Sequence, residues 1–149
     1  MKFSLLVCLG LIVGLPLFGQ TAERLDEILA QDELTVGSAA YIAAASGGLI
    51  GEGDGPEDAL AALADAGFPS DAVSAEATVR LNQYAYMLML AYDRSGGLMY
   101  TLFPGPRYAF RELRFERVIE GRGDPIDPLS GSRALQLAER LNTIVEAEE

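Results

Sequence analysis

Residues 107–135 read RYAFRELRFERVIEGRGDPIDPLSGSRAL, and the order of residue types in this stretch decides how the whole chain is read. Pro104-Gly105-Pro106 sets a helix start at about Arg107, and Ala109, Phe110 and Leu113 then recur at helical spacing. Val118-Ile119-Glu120-Gly121 follows as an apolar pair with a glycine stop, and Asp124-Pro125-Ile126-Asp127-Pro128 is a rigid turn. Ser130 caps the next helix, which carries Ala134, Leu135, Ala138 and Leu141 inward. The unit is therefore a short helix, a glycine turn, a proline-bounded loop and a capped longer helix.

The same unit occurs twice more. Capped helix starts stand at Leu34-Thr35-Val36-Gly37-Ser38-Ala39-Ala40, Val79-Arg80-Leu81-Asn82-Gln83-Tyr84-Ala85 and Leu129-Ser130-Gly131-Ser132-Arg133-Ala134-Leu135. Aligning Thr35, Arg80 and Ser130 gives spacings of 45 and 50 residues. The preceding short helices are expected at Ala22–Ala30, Glu57–Ala66 and Arg107–Glu116, so the three units cover about 22–48, 56–93 and 105–142.

Leu25, Ile28 and Leu29 mark the first short helix, and Gly47-Gly48 end the helix capped by Thr35. In the second unit Asp54 or Gly55 caps, Pro56 takes the first helical position, and Glu57 and Asp58 complement the positive helix start. A long helix is expected from about Ala75 to Tyr92. Leu81, Tyr84, Ala85, Leu88, Ala91 and Tyr92 form its stripe, and Tyr86, Met87 and Met89 extend the apolar surface round the cylinder, as a central buried helix requires. Leu98 to Phe103 reads as an extended linker, and the acidic tail, 146–149, is expected to fray.

This arrangement resembles the S-layer homology (SLH) domain. Its repeats run as a short helix with an aromatic-Ala start, a Gly-Ile-Ile-x-Gly turn, an Asp-containing loop ending in Pro, and a Thr-Arg-Ala-Glu helix start. The third unit matches at Ala109, Phe110, Leu113, Val118, Ile119, Gly121, Asp124, Ile126 and Pro128. The resemblance implies an all-α fold, in which three helix-loop-helix repeats pack as a compact pseudo-threefold bundle over 21–145. It also implies binding to cell-wall polysaccharide or peptidoglycan and anchorage to the envelope. The chain departs from the family at the Thr-Arg-Ala-Glu motif. Thr35-Val36-Gly37-Ser38, Arg80-Leu81-Asn82-Gln83 and Ser130-Gly131-Ser132-Arg133 stand in its place, so the motif's Arg and Glu are missing from all three units. Fold and polymer binding are thus separate expectations. A domain that keeps the fold and binds an envelope protein instead is the alternative.

Residues 1–20 carry one basic residue, Lys2, then an apolar run from Phe3 to Phe18 broken only by Ser4, Gly10, Gly14 and Pro16. This is the pattern of a secretory signal peptide, with cleavage after Gly19 or Ala22. An uncleaved anchor competes with it, but spanning a bilayer needs about 20 apolar residues, and this run is shorter and contains Pro16. Export to the periplasm or cell surface of a bacterium is expected, with no transmembrane span once the signal is removed.

The chain has 149 residues, room for one domain and one core. Beyond Gly19 it holds ten arginines against twenty-two acids, a net of −12, and no lysine, histidine, tryptophan or cysteine. Nucleic-acid binding is excluded by that sign of charge, which also opposes general adhesion to anionic lipid. The missing residue types remove imidazole bases, thiol nucleophiles, Schiff-base lysines and Cys/His metal sites. No cofactor or metal is called for, and no pair of acids is singled out for glycoside cleavage. Glu52, Asp54, Glu57 and Asp58 lack the alternation of a calcium loop. Arg122-Gly123-Asp124 falls on the turn that the unit itself needs. A non-enzymatic protein is expected.

Arg107, Arg111, Arg114, Arg117 and Arg122 lie within sixteen residues of an otherwise acidic chain. Helical spacing puts Arg107, Arg111 and Arg114 side by side, where like charges repel by a few tenths of a kcal/mol per pair. Either acids elsewhere in the chain or an anionic ligand compensates them. The candidate ligand-binding residues are Arg107, Arg111, Arg114 and Tyr108, together with Thr35, Arg80 and Ser130 at the helix starts that would line grooves between units.

Overall fold

The computed structural model describes residues 17–148, with side-chain surroundings from Ala22 onward. Within them α1 (Leu17–Leu29), α2 (Val36–Ser46), α3 (Pro56–Asp65), α4 (Leu81–Ala91), α5 (Leu98–Leu102), α6 (Pro106–Phe115) and α7 (Gly131–Glu148) account for the regular structure, with a 3₁₀ turn at Ser70–Ala72. The chain is all-helical among the described residues. Local chemistry sets most of the boundaries. Thr35 Oγ1 accepts from Ser38 N–H at 3.2 Å to cap α2. Pro56 and Pro106 open α3 and α6, where a missing N–H costs nothing. Ser130 Oγ accepts from Arg133 N–H at 3.3 Å in the first turn of α7.

The helix starts converge on one another through backbone bonds. Leu34 N–H donates to Leu129 O at 2.6 Å and Val79 N–H donates to Leu34 O at 2.8 Å, so three buried apolar residues from three distant parts of the chain form a hub. Around it each longer helix hands its first N–H groups to the loop of another segment. Val36 and Gly37 donate to Ala77 O and Ala75 O, Leu81 and Asn82 donate to Asp127 O and Pro125 O, and Gly131 donates to Gln31 O. These are donors that a helix start otherwise leaves without intrahelical partners. Two isolated bridges, Thr35 with Thr78 and Arg80 with Pro128, extend the same contacts.

Helix ends recur in register as well. Gly47, Gly48 and Leu49 donate to Ala43, Ala45 and Ala44, and Tyr92, Asp93 and Arg94, 45 positions later, donate to Leu88, Leu90 and Met89. Gly48 and Asp93 both have positive φ, and so do Gly67 and Arg117 at the ends of α3 and α6. Ala59 and Leu63 on α3 are fully buried, as are Ala109 and Leu113, 50 positions later on α6.

Helix α4 runs through the centre of the core, burying Leu81, Tyr84, Ala85, Tyr86, Met87, Leu88, Met89 and Ala91. That is the all-round burial its sequence implies. Tyr84 is fully buried and its hydroxyl donates to Ala134 O of α7 at 2.8 Å. Burial holds its proton well above the ordinary tyrosine range. In α7 the buried residues are Gly131, Ala134, Leu137, Ala138 and Leu141, so Leu137 takes a place that the sequence pattern assigned to Leu135. Gly131 is required by close approach: a Cβ there would stand 1.9 Å from Ile28 O.

Several expected boundaries are corrected. Helix α4 starts at Leu81 and not near Ala75, because Ala75 O and Ala77 O are engaged by the start of α2. Leu98–Leu102 is a helix and not extended, closed by Thr101 N–H to Gly97 O and Phe103 N–H to Met99 O. Helix α6 ends at Phe115, within one residue of the expected Glu116, and it is Arg117 at φ 62° and not Gly121 that turns the chain there. The tail does not fray at Glu146, since α7 continues to Glu148 and that carboxylate pairs with Arg94. Of the proposed signal segment, 1–16 lie outside the described residues and 17–20 form the first turn of α1.

Candidate functional site

Helix α6 turns Ala109, Phe110 and Leu113 into the core, and this fixes what its other side presents. Arg107, Arg111 and Arg114 are exposed along that side, while Tyr108 is half-buried at its start. The Arg107 guanidinium lies over the Tyr108 ring at 5.9 Å and the Arg114 guanidinium over the Phe110 ring at 5.7 Å. Phe103 continues the row, its ring 6.4 Å from that of Tyr108. Planar cations stacked on aromatic faces keep their N–H edges free for an incoming anion.

Two of the three acids of the same segment are engaged elsewhere. Glu116 pairs with Arg94 at 2.8 Å and Glu120 with Arg140 at 3.0 Å. Among the described residues the ion pairs are made by Arg94 and Arg140, and none involves Arg107, Arg111 or Arg114. Among the described residues, no carboxylate stands within ion-pair distance of the row. Arg114 makes a single long contact, 3.4 Å, to Gly121 O.

Arg94 carries a role that local sequence does not signal. Its guanidinium bridges Glu148 of α7 and Glu116 at the end of α6, and both carboxylates hold it more firmly in the charged state. Its partners lie 54 and 22 positions away, beyond the reach of any helical pattern. Arg94 Nε and Glu116 Oε2 are buried without hydrogen-bond partners, so the clamp is strong in charge and incompletely satisfied in geometry.

Thr35 lines a groove of about 460 Å³ between the start of α2, the start of α3 and the loop before α4. Ser38, Glu57, Asp58, Leu60 and Glu76 share it. Asp58 Oδ2 accepts from Gly55 N–H at 2.8 Å, and the Ser74 hydroxyl holds Glu76 below the ordinary carboxylate range. This wall is acidic, which the expectation of a ligand groove at Thr35 did not include. The helix-start acids Glu57 and Asp58 were visible in the sequence, but Glu76 joins them only through the fold.

Arg80 is exposed at the start of α4, where its backbone N–H donates to Gln83 Oε1 at 2.9 Å, and Ser130 is half-buried at the start of α7. Neither lines the groove of Thr35, nor do Arg107, Tyr108, Arg111 and Arg114. The seven candidate residues thus divide into three helix starts around the hub and one row on the outer side of α6. No group of three or more His, Cys, Asp or Glu residues placed to hold a metal lies among the described residues, and no described helix is long and apolar enough to cross a membrane. Family models, curated proteins and solved structures give no match to this chain.

Proposed function

We propose that the protein is an exported, non-catalytic module of a bacterial envelope that holds an anionic cell-wall polysaccharide, on a pseudo-threefold bundle of SLH-like units. The observation that carries the ligand is the row Arg107, Arg111 and Arg114: exposed and unpaired by any described carboxylate, with Arg107 stacked on Tyr108 and Arg114 on Phe110. Guanidinium groups fork onto carboxylate or phosphate, and the neighbouring aromatic faces of Tyr108 and Phe103 suit the apolar side of a sugar ring. The unit reading draws support from backbone bonds that recur at shifts of 45 and 50 residues. Export rests on the pattern of residues 1–20. Thr35, Arg80 and Ser130 border the joints between units, and on this reading they set the edges of the polymer's path.

Co-sedimentation of residues 21–149 with purified sacculi, at low and high salt, tests the proposal. Retention that weakens with salt and is lost in Arg111→Ala/Arg114→Ala, with helix content unchanged, is the expected result. A wild-type protein that stays in the supernatant in both conditions overturns polymer binding and leaves a protein-interaction domain on the same fold.

A further inference from the structure

Helix α5 buries one side chain, Tyr100, and leaves Leu98 74%, Met99 43%, Leu102 58% and Phe103 60% exposed. Four large apolar side chains within six residues are not spent on the core. Tyr100 pins the segment from below: it packs edge-on against Tyr86 at 6.3 Å and lies against Gly96, where a Cβ would come within 2.7 Å of the ring. The apolar ridge is thereby held outward on a rooted base, and it runs directly into the cationic row through Phe103, Tyr108 and the guanidinium of Arg107. Arg111 follows one helical turn later.

Charge selects the occupant. In a twofold pairing the ridge of one copy would meet the ridge or the arginines of the other, and neither supplies the negative charge that Arg107 and Arg111 need. The complementary surface is apolar beside fixed negative charge. A ridge exposed on every side but that of Tyr100 also needs a yielding surface and not a shaped cleft. We propose that the α5 ridge docks on an anionic lipid surface, with Leu98, Met99, Leu102 and Phe103 entering the boundary between headgroups and acyl chains and Arg107 and Arg111 on the phosphates.

The chain's negative charge opposes general adhesion to anionic lipid, but the contact is confined to this one edge. Glu116 and Glu120, the acids nearest the row on its C-terminal side, are drawn away from it by Arg94, which Glu116 shares with Glu148, and by Arg140. Glu112 remains, its carboxylate lying against Gly97 at the base of α5. More distant acids are screened over a length of about 8 Å at physiological ionic strength. Their effect is to orient the protein: repulsion keeps every other face away from the lipid, so binding is edge-on through α5.

The chain contains no tryptophan, so single substitutions report position. Leu98→Trp in residues 21–149, the same chain as in the sacculus experiment, is mixed with vesicles of phosphatidylcholine alone or with phosphatidylglycerol, some carrying brominated acyl chains, beside Leu49→Trp just after α2. A blue shift and bromine quenching of Leu98→Trp on the anionic vesicles, with Leu49→Trp unmoved, is expected. Adding Arg107→Glu/Arg111→Glu to the Leu98→Trp variant should weaken partitioning about tenfold or more. Absence of quenching in Leu98→Trp overturns the inference and assigns the ridge to a protein partner. Equal quenching in both tryptophan variants, or quenching indifferent to the arginine reversal, overturns it too. The vesicles carry no glycan, so this result is independent of the sacculus experiment.

Discussion

The starts of α2 and α4 are held by the same pair of backbone bonds, yet they face solvent with opposite charge. At α2, Val36 and Gly37 donate to Ala77 O and Ala75 O, both at 2.8 Å; at α4, Leu81 and Asn82 donate to Asp127 O and Pro125 O at 3.0 and 2.9 Å. Around the first joint stand Thr35, Glu57, Asp58 and Glu76. The corresponding positions of the second, 45 or 50 residues later, are Arg80, Arg107, Tyr108 and Ile126. Peptide groups fix the joint, and every side chain has the same peptide groups behind it, so the rim is free to change sign while the frame persists. The acidic groove and the cationic row are two outcomes of one backbone solution, which is why fold alone carries no ligand.

The start of α7 is the third such joint, and it differs most. Where the others have Val36 and Leu81, it has Gly131, pressed against Ile28 O. Gly131→Ala should cost about 3 kcal/mol or more, since backbone and not a flexible side chain must move, and a denaturant midpoint reads this directly. Gly37→Ala makes the control. Its Cβ would lie 3.3 Å from Ala75 O, and the matching position in α4 is already Asn82, so about 1 kcal/mol or less is expected. Equal losses at the two glycines would mean that the joints are not distinguished by closeness.

The arginines are the next contrast. Arg94→Met should destabilise by about 2 kcal/mol, because it strands Glu116 beside an apolar side chain. Arg111→Ala should lie within about 0.5 kcal/mol of wild type in the same thermal melts, as a residue without an internal partner must. The helix caps give a smaller difference. Thr35→Ala loses the bond to Ser38 N–H and about 1 kcal/mol, whereas Arg80→Ala, whose side chain makes no capping bond, is close to neutral.

The last contrast vanishes at neutral pH. Tyr84 occupies a fully buried position matched by Ala39 in α2 and Ala134 in α7, so one phenol serves a place where the other helices carry a methyl group. Tyr100 is pushed up to about 12, first by burial and then by Tyr86. A phenol whose pKa is raised by folding contributes stability that is complete below the unfolded value of about 10 and lost as pH rises through the folded value. Unfolding should therefore become easier above about pH 10, with tyrosinate absorbance appearing in step with loss of helix. Tyrosinate signal that rises fully while the helices stay intact would contradict the burial of Tyr84.

Local chemistry made much of the fold legible. Thr35, Pro56, Pro106 and Ser130 announce their helices because a cap or a proline acts on its own first turn, and the composition of α4 announces burial because no face of it is polar. What escaped involves partners far along the chain. Ala75 to Arg80 has helical periodicity, but its carbonyls are claimed by α2, and no window around residue 77 contains residue 36. Helix α5 was hidden by its length of five residues, too short for any period. For the site, the arginine row was visible as spacing, while its lack of internal partners became visible only once Glu116 and Glu120 were seen committed to Arg94 and Arg140.

The bond from Gly131 N–H to Gln31 O joins residues 100 positions apart, and Leu34 N–H to Leu129 O lies beside it. Ring closure of that span pays nearly all its loop entropy before the hub returns any burial, so the first segment waits on the last. Helices α2, α3, α4 and α6 pack on one another without α7, but the hub is completed only when Leu129 and Gly131 arrive.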